Sequence, residues 1–180
     1  MLSRELVDRV FGELAAGRVV GIADRASLGI ANASIEEVLE VLVRSRPVLL
    51  HGAECVIPSG EALRLSPGRQ RGGICRELEG FATDLAGIAM LKALFSNVGV
   101  NLSYPMVVSC ASPLKLTIVG WRADVERPRG YIHLIGPRDW FEREGNTWQW
   151  VTSRTDVRFA GCVEIEKADF RYPVVRQPTA

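Results

Sequence analysis

The sequence has no apolar run that approaches the roughly 20 residues a transmembrane helix needs. Its first eight residues already carry three charged side chains, Arg4, Glu5 and Asp8, where a secretory signal peptide needs a hydrophobic segment. We therefore expect no membrane-spanning segment and no secretion signal. A cytoplasmic location is the expectation that follows.

Cysteine is sparse, and its spacing shows no pairing. The four cysteines, Cys55, Cys75, Cys110 and Cys162, form no CxxC motif, so neither a zinc knuckle nor a thioredoxin-type redox motif is indicated. His51 and Cys55 have a spacing that some metal ligands use, but no third ligand accompanies them. We interpret the thiols as buried or unreactive, because free cysteine behaves mostly as a small hydrophobic residue.

Net charge is nearly absent. The 22 lysines and arginines stand against 21 acidic residues, which leaves a formal net charge of +1. A chain so balanced creates no strong field toward nucleic acid or an anionic membrane. The second predicted helix also exposes Glu36, Glu37 and Glu40, which does not suit a DNA-recognition helix. We expect neither a nucleic acid nor a membrane as a partner.

Apolar residues make up 47% of the 180 positions, enough for one domain with a sizeable core. Their helical spacing predicts amphipathic helices over residues 4–16 and from Ser34 onward, where Ser34 and Glu37 would form a capping box. A third helix over residues 84–95, capped by Thr83, is apolar on nearly every face, so we expect it to be buried.

Strand patterns dominate the second half of the chain. Alternating apolar residues between turn formers predict strands over 47–50, 105–110, 114–119, 130–135, 147–152 and 161–165, and a short one over 18–22. Helices first and strands later indicate an α+β fold. We expect a single domain over residues 1–180, with a helical N-terminal extension over 1–46 and the core over 47–170.

Turn-forming residues over 58–73 predict a long exposed loop. Arginines interleaved with glycines in and just after this loop, among them Arg69 and Arg71, could cradle a phosphate with their guanidinium groups and the backbone amides. The competing interpretation is a solvated loop without a ligand, because no lysine-serine phosphate motif accompanies the glycines.

Two residues at predicted element ends are candidates for a binding cleft. His51 ends the strand over 47–50, and Phe81 precedes the buried helix. Histidine suits a sugar hydroxyl, and a phenylalanine ring suits an aromatic base. The competing interpretation is structural: His51 bonds to a backbone carbonyl, and Phe81 belongs to the core.

Alternation within the later strands assigns further side chains to faces. His133 is expected at the surface or in a cross-strand pair rather than in a pocket. In the strand over 147–152, Trp148 and Trp150 share one face and Gln149 takes the other.

The order of these motifs resembles the ADP-ribosyltransferase superfamily, which includes the poly-ADP-ribose polymerases and the NAD-dependent RNA 2'-phosphotransferases. The matching features are His51-Gly52 on the first core strand, Phe81-Ala82-Thr83 entering a helix, and Gln149 on a late aromatic strand. The resemblance covers residues 48–169 in outline. It implies a mainly antiparallel, split β-sheet core of ADP-ribosyltransferase type with one buried helix.

The resemblance also implies a ligand and a site. NAD would be the cofactor, and a nucleotide would be the bound partner. The residues implied to bind it are His51, Gly52, Phe81 and Thr83, with Arg69 and Arg71 near its phosphates.

Two of the three motif positions depart from the family pattern. Phe81 stands where the family has a tyrosine, which keeps a ring to stack on nicotinamide but loses a hydroxyl. Gln149 stands where the family has a glutamate, whose carboxylate stabilises the positive charge that develops as nicotinamide leaves. Glu144 and Glu164 are the alternative carboxylates.

Three interpretations remain open on this basis. In one, the chain is an unrelated α+β domain in which all these residues are structural; the other two assign a function, and for them we expect the strand of His51 to lie beside the strand of Gln149. One is an NAD-dependent transferase with His51 and Gln149 as catalytic residues, acting by glycosyl transfer with release of nicotinamide. The other is a catalytically inactive member of the family that senses a nucleotide or binds a protein partner, and Gln149 favours this one.

Overall fold

The computed structural model describes residues 2–67, 78–95, 101–103, 116–119, 126–145 and 148–177. In these ranges the chain forms three α-helices: α1 (Arg4–Ala15), α2 (Ile35–Ser45) and α3 (Ala86–Leu94). Its strands are β1 (Val19–Val20), β2 (Leu49–Ala53), β3 (Ser66–Pro67), β4 (Leu78–Thr83), β5 (Asn101–Ser103), β6 (Leu116–Val119), β7 (Arg129–Gly136), β8 (Glu142–Arg143), β9 (Gln149–Thr152), β10 (Arg158–Glu166) and β11 (Val174–Gln177). The expected α+β fold is confirmed.

The strands form two sheets. The larger sheet has the order β1-β10-β7-β2-β4-β9-β8, with β3 added to β4. β1 runs parallel to β10, and the other pairings described in this sheet are antiparallel. The smaller sheet has the order β11-β6-β5, with β11 parallel to β6. The predicted strand over 105–110 lies outside the described residues, and so do Cys75 and Cys110.

The helices pack on one face of the larger sheet, which we call the helix face. Their apolar sides form one buried cluster with sheet residues such as Leu50 and Ile132. Every residue of α3 is buried except Lys92, which is partly exposed, so the prediction of a buried third helix is confirmed. None of the helices in the described ranges combines the length and the apolar character needed to cross a membrane.

The opposite face, which we call the loop face, carries a second apolar cluster. Leu49, Ala82 and Ile135 pack there with Leu63, Phe141, Val157 and Phe159. A bulge in β10 between Phe159 and Cys162 lets this one strand contribute apolar residues to both clusters. An extra residue in a strand reverses which face the following side chains occupy. Phe159 therefore points to the loop face, whereas Val163 packs with the helices.

Two predicted helix caps differ from those observed. Ser34 is the N-cap of α2, but its side chain makes no capping bond, so the capping box is absent. α3 begins at Ala86 with Leu85 as its N-cap. The Thr83 hydroxyl instead accepts from the Leu85 amide at 3.1 Å and donates to the Trp148 carbonyl oxygen at 2.9 Å. Thr83 thus ties the start of α3 to the strand that follows Trp148.

Candidate functional site

The candidate site lies where β2 and β4 separate. The two strands pair only at Leu50 and Thr83. Beyond that pair β2 continues beside β7, whereas β4 continues beside β9. We call the place where they diverge, beside His51 and Phe81, the β2–β4 gap. The strand expected to end at His51-Gly52 continues one residue further, to Ala53, and His51 is the third residue of β2.

His51 bridges this gap with its ring. Its Nδ1 lies 2.9 Å from the Phe81 carbonyl oxygen. Since a carbonyl only accepts, Nδ1 carries the proton, and in the neutral ring Nε2 is then an acceptor. Burial lowers the pKa of His51, partly offset by the bond to Phe81, so the ring is neutral at pH 7. The imidazole therefore takes the place of the ladder hydrogen bond that the diverging strands no longer make.

A second histidine lies beside it. His133 in β7 is directly opposite His51 in β2, and both rings contact Phe159 edge-on, with centroid distances of 5.2 Å for His51 and 5.4 Å for His133. His133 is fully buried. The cross-strand alternative is therefore correct, and the surface alternative is wrong.

The polar contacts of His133 are with backbone groups. Its Nε2 lies 3.3 Å from the Ile57 amide nitrogen and 3.3 Å from the Cys55 carbonyl oxygen. Its Nδ1 is buried, with no hydrogen-bond partner in the described part of the chain. Burial lowers the pKa of His133 to about 4, with the Cys55 contact opposing the shift. Two neutral imidazoles thus sit side by side at the gap.

The remaining motif residues lie on the other face of the sheet. Thr83 pairs with Leu50 and with Gln149, and directly paired residues share a face, so Thr83 and Gln149 belong to the helix face. Phe81, two residues before Thr83, has the same orientation. The structure therefore brings Phe81, Thr83 and Gln149 together on the helix face and places His51 on the loop face.

Gly52 allows α3 to approach the sheet. A Cβ atom at this position would lie 2.0 Å from the Ala89 carbonyl oxygen and 2.9 Å from the Ala93 amide nitrogen. No real Cβ contact is that short, so only glycine fits beneath α3. The glycine of the His-Gly motif therefore has a packing reason that needs no ligand.

The alternative carboxylates differ in their position relative to Gln149. Glu164 lies in β10, separated from β9 by three strands, and it accepts from Arg129 at 2.9 Å and from the Ile22 amide at 3.3 Å. Glu144 is closer, since its amide donates to the Gln149 carbonyl oxygen at 2.9 Å. Arg69 and Arg71 lie outside the described residues.

The motif positions supply an imidazole, an aromatic ring, a hydroxyl and an amide, all neutral at pH 7. Such groups can hold a ligand through hydrogen bonds and stacking, but they supply no negative charge. Within the described ranges, no cluster of three or more histidine, cysteine, aspartate or glutamate side chains is arranged to hold a metal ion.

Comparisons of the chain with protein-family models, with curated proteins and with solved structures find no match in any of the three.

Proposed function

We propose that the chain is an ADP-ribosyltransferase-like domain that binds NAD, or a related nucleotide, at the β2–β4 gap without transferring ADP-ribose. The observation that carries the proposal is the state of His51. Its Nδ1 proton is fixed on the Phe81 carbonyl oxygen, which leaves Nε2 as an acceptor on a partly buried residue at the point where β2 and β4 separate. A ribose hydroxyl is a donor that matches it.

The divergence of β2 and β4 supports binding by residues from both faces. In a continuous sheet, side chains on opposite faces cannot contact one ligand, whereas a ligand placed at the β2–β4 gap would reach both. His51 borders the gap from the loop face and Phe81 from the helix face. The Phe81 ring is partly buried and offers a flat apolar surface to a nicotinamide or adenine ring.

The strand of His51 was expected to lie beside the strand of Gln149, but β4 lies between them; the order of the strands supports the family resemblance only in the coarser sense that the motif strands follow one another. The three motif positions lie on β2, β4 and β9, which are consecutive in the sheet and antiparallel. β2 and β4 separate after a single residue pair, as expected for the split core that the resemblance implies.

Binding without transfer follows from Gln149. Cleavage of the nicotinamide bond builds positive charge on the ribose, and a neutral amide cannot stabilise that charge as a carboxylate does. Removing a single electrostatic stabiliser of a transition state typically costs about 10²–10³-fold in rate. A nucleotide sensor is therefore the better match than a transferase.

Two histidine substitutions test the proposal. His51→Gln keeps an amide that can donate to the Phe81 carbonyl oxygen, but its own acceptor, the side-chain oxygen, does not then occupy the position of the imidazole Nε2. We therefore expect NAD affinity to fall while the protein stays folded at pH 7.5. His133→Gln is the matched control, because it changes the neighbouring histidine of the same face, whose Nε2 already contacts backbone groups. Calorimetric titration with NAD measures the affinity of both variants and of the wild type. Equal losses in the two variants, or no loss in His51→Gln, would contradict the proposed site.

A further inference from the structure

A concave surface lies away from the β2–β4 gap, beside the segment that connects α2 to β2. It is an open groove of about 700 Å³, a volume in the range of small-molecule sites. Its charged lining residues are three arginines and one aspartate, and a tryptophan lies beside them: Arg44, Arg46, Arg138, Asp139 and Trp150. We call it the arginine groove. Sequence patterns did not single it out, because its residues come from the end of α2, the turn after β7 and the middle of β9.

Arg138 brings positive charge to this groove. Its guanidinium donates to the carbonyl oxygens of Val43 and Val48, the latter at 3.1 Å. Both partners are neutral groups, so these bonds hold the side chain without cancelling its charge. The guanidinium also lies 5.9 Å from the centre of the Trp150 ring, and that of Arg143 lies 5.8 Å from it. The tryptophan ring therefore helps to hold cations at this surface.

Three donors of the lining residues have no acceptor. Nε of Arg46, Nε of Arg138 and Nε1 of Trp150 are buried and make no hydrogen bond within the described part of the chain. A buried donor without an acceptor is unfavourable. Small side-chain rotations would expose these donors to the groove. A ligand rich in acceptor oxygens would then supply the missing hydrogen bonds.

We propose that the arginine groove binds the phosphate group of a small phosphorylated molecule. Guanidinium groups pair with phosphate and carboxylate oxygens through two parallel hydrogen bonds. A carboxylate is planar and is satisfied by one such pair, whereas a phosphate presents oxygens in several directions. It can contact Arg138 directly, and Arg44 and Arg46 by competing with their present partners Glu40 and Asp8. The proposal does not rest on NAD binding at the β2–β4 gap.

Arg44 provides a test that spares the fold. Its side chain is 69% exposed and pairs with Glu40 at 3.4 Å one turn earlier in α2. Arg9 in α1 pairs with Glu5 at the same spacing and the same distance, and is also exposed. Arg44→Glu and Arg9→Glu therefore change net charge equally and break equivalent ion pairs, but only the first alters the groove.

The probe is inorganic pyrophosphate, titrated calorimetrically into the full chain at low ionic strength, with citrate as the carboxylate comparison. We expect saturable binding of pyrophosphate, weaker binding of citrate, and a loss of affinity of about tenfold or more in Arg44→Glu but not in Arg9→Glu. His51→Gln should bind pyrophosphate as the wild type does, which separates this site from the nucleotide site. No saturation, equal losses in both arginine variants, or binding of citrate as tight as that of pyrophosphate would overturn the proposal.

Discussion

The neutral histidine pair predicts that the protein loses stability in mild acid. His133 has a pKa of about 4 in the folded protein, against about 6.5 in an unfolded chain. Between these values the unfolded state binds a proton that the folded state does not bind. Stability is therefore fully present above pH 6.5 and is lost as the pH falls toward 4.

The size of the effect follows from the two pKa values. For His133 alone, the free energy of unfolding should fall by about 2 kcal/mol between pH 7.5 and pH 5, and by about 3 kcal/mol when the pH is below 4. The pKa of His51 is lowered for the same reason, so its contribution has the same sign and adds to that of His133.

Urea unfolding from pH 7.5 to pH 5 measures this contribution when the wild type is compared with His133→Gln. Acidic side chains titrate in both proteins, so the difference between the two curves isolates the histidine. Glutamine does not titrate, and the wild type should lose about 2 kcal/mol more than the variant at pH 5. Parallel curves would refute the assignment of His133 as a buried neutral residue.

Three further substitutions test the packing of the fold. Gly52→Ala should destabilise the protein by about 3 kcal/mol, because its Cβ would lie 2.0 Å from the Ala89 carbonyl oxygen and backbone must shift. Gly12→Ala, exposed in α1 with nothing within 4 Å of the new methyl group, should stabilise by up to about 1 kcal/mol. Arg25→Ala should cost about 3 kcal/mol, because it leaves the Asp169 side chain, which is only 14% exposed, without the guanidinium that pairs with both its oxygens at 2.8 Å. Urea unfolding at pH 7.5 measures all three; a change below about 1 kcal/mol for Gly52→Ala or Arg25→Ala would contradict the packing described.

The helices could be predicted from the sequence because their signal is local. Apolar spacing placed the first helix over 4–16, and α1 spans Arg4–Ala15. The apolar run over 84–95 predicted a buried helix, and α3 is buried. β4 was not predicted, because it depends on pairing with β2 and β9, and pairing between distant segments leaves little trace in a short run such as Gly80-Phe81-Ala82-Thr83.

The site was harder to predict because the burial of a face is not a local property. Alternation placed His133 opposite Ile132 and Leu134, which is correct, but its burial depends on contacts with Cys55 and Ile57. Gly52 suggested the end of a strand, whereas its lack of a side chain serves the approach of α3. The structural alternative for His51, a bond to a backbone carbonyl, is also present, since the ring bonds to Phe81; this bond fixes the tautomer on which the proposed binding role depends.

The most direct test of the proposed function is a calorimetric titration of the purified protein with NAD, with nicotinamide release measured on the same sample. Binding without transfer predicts saturable heat and no nicotinamide above the rate without protein. Release of nicotinamide would contradict the non-transferring role of Gln149 and direct attention to Glu144 as the missing carboxylate. Absence of binding at millimolar NAD would contradict the nucleotide site itself.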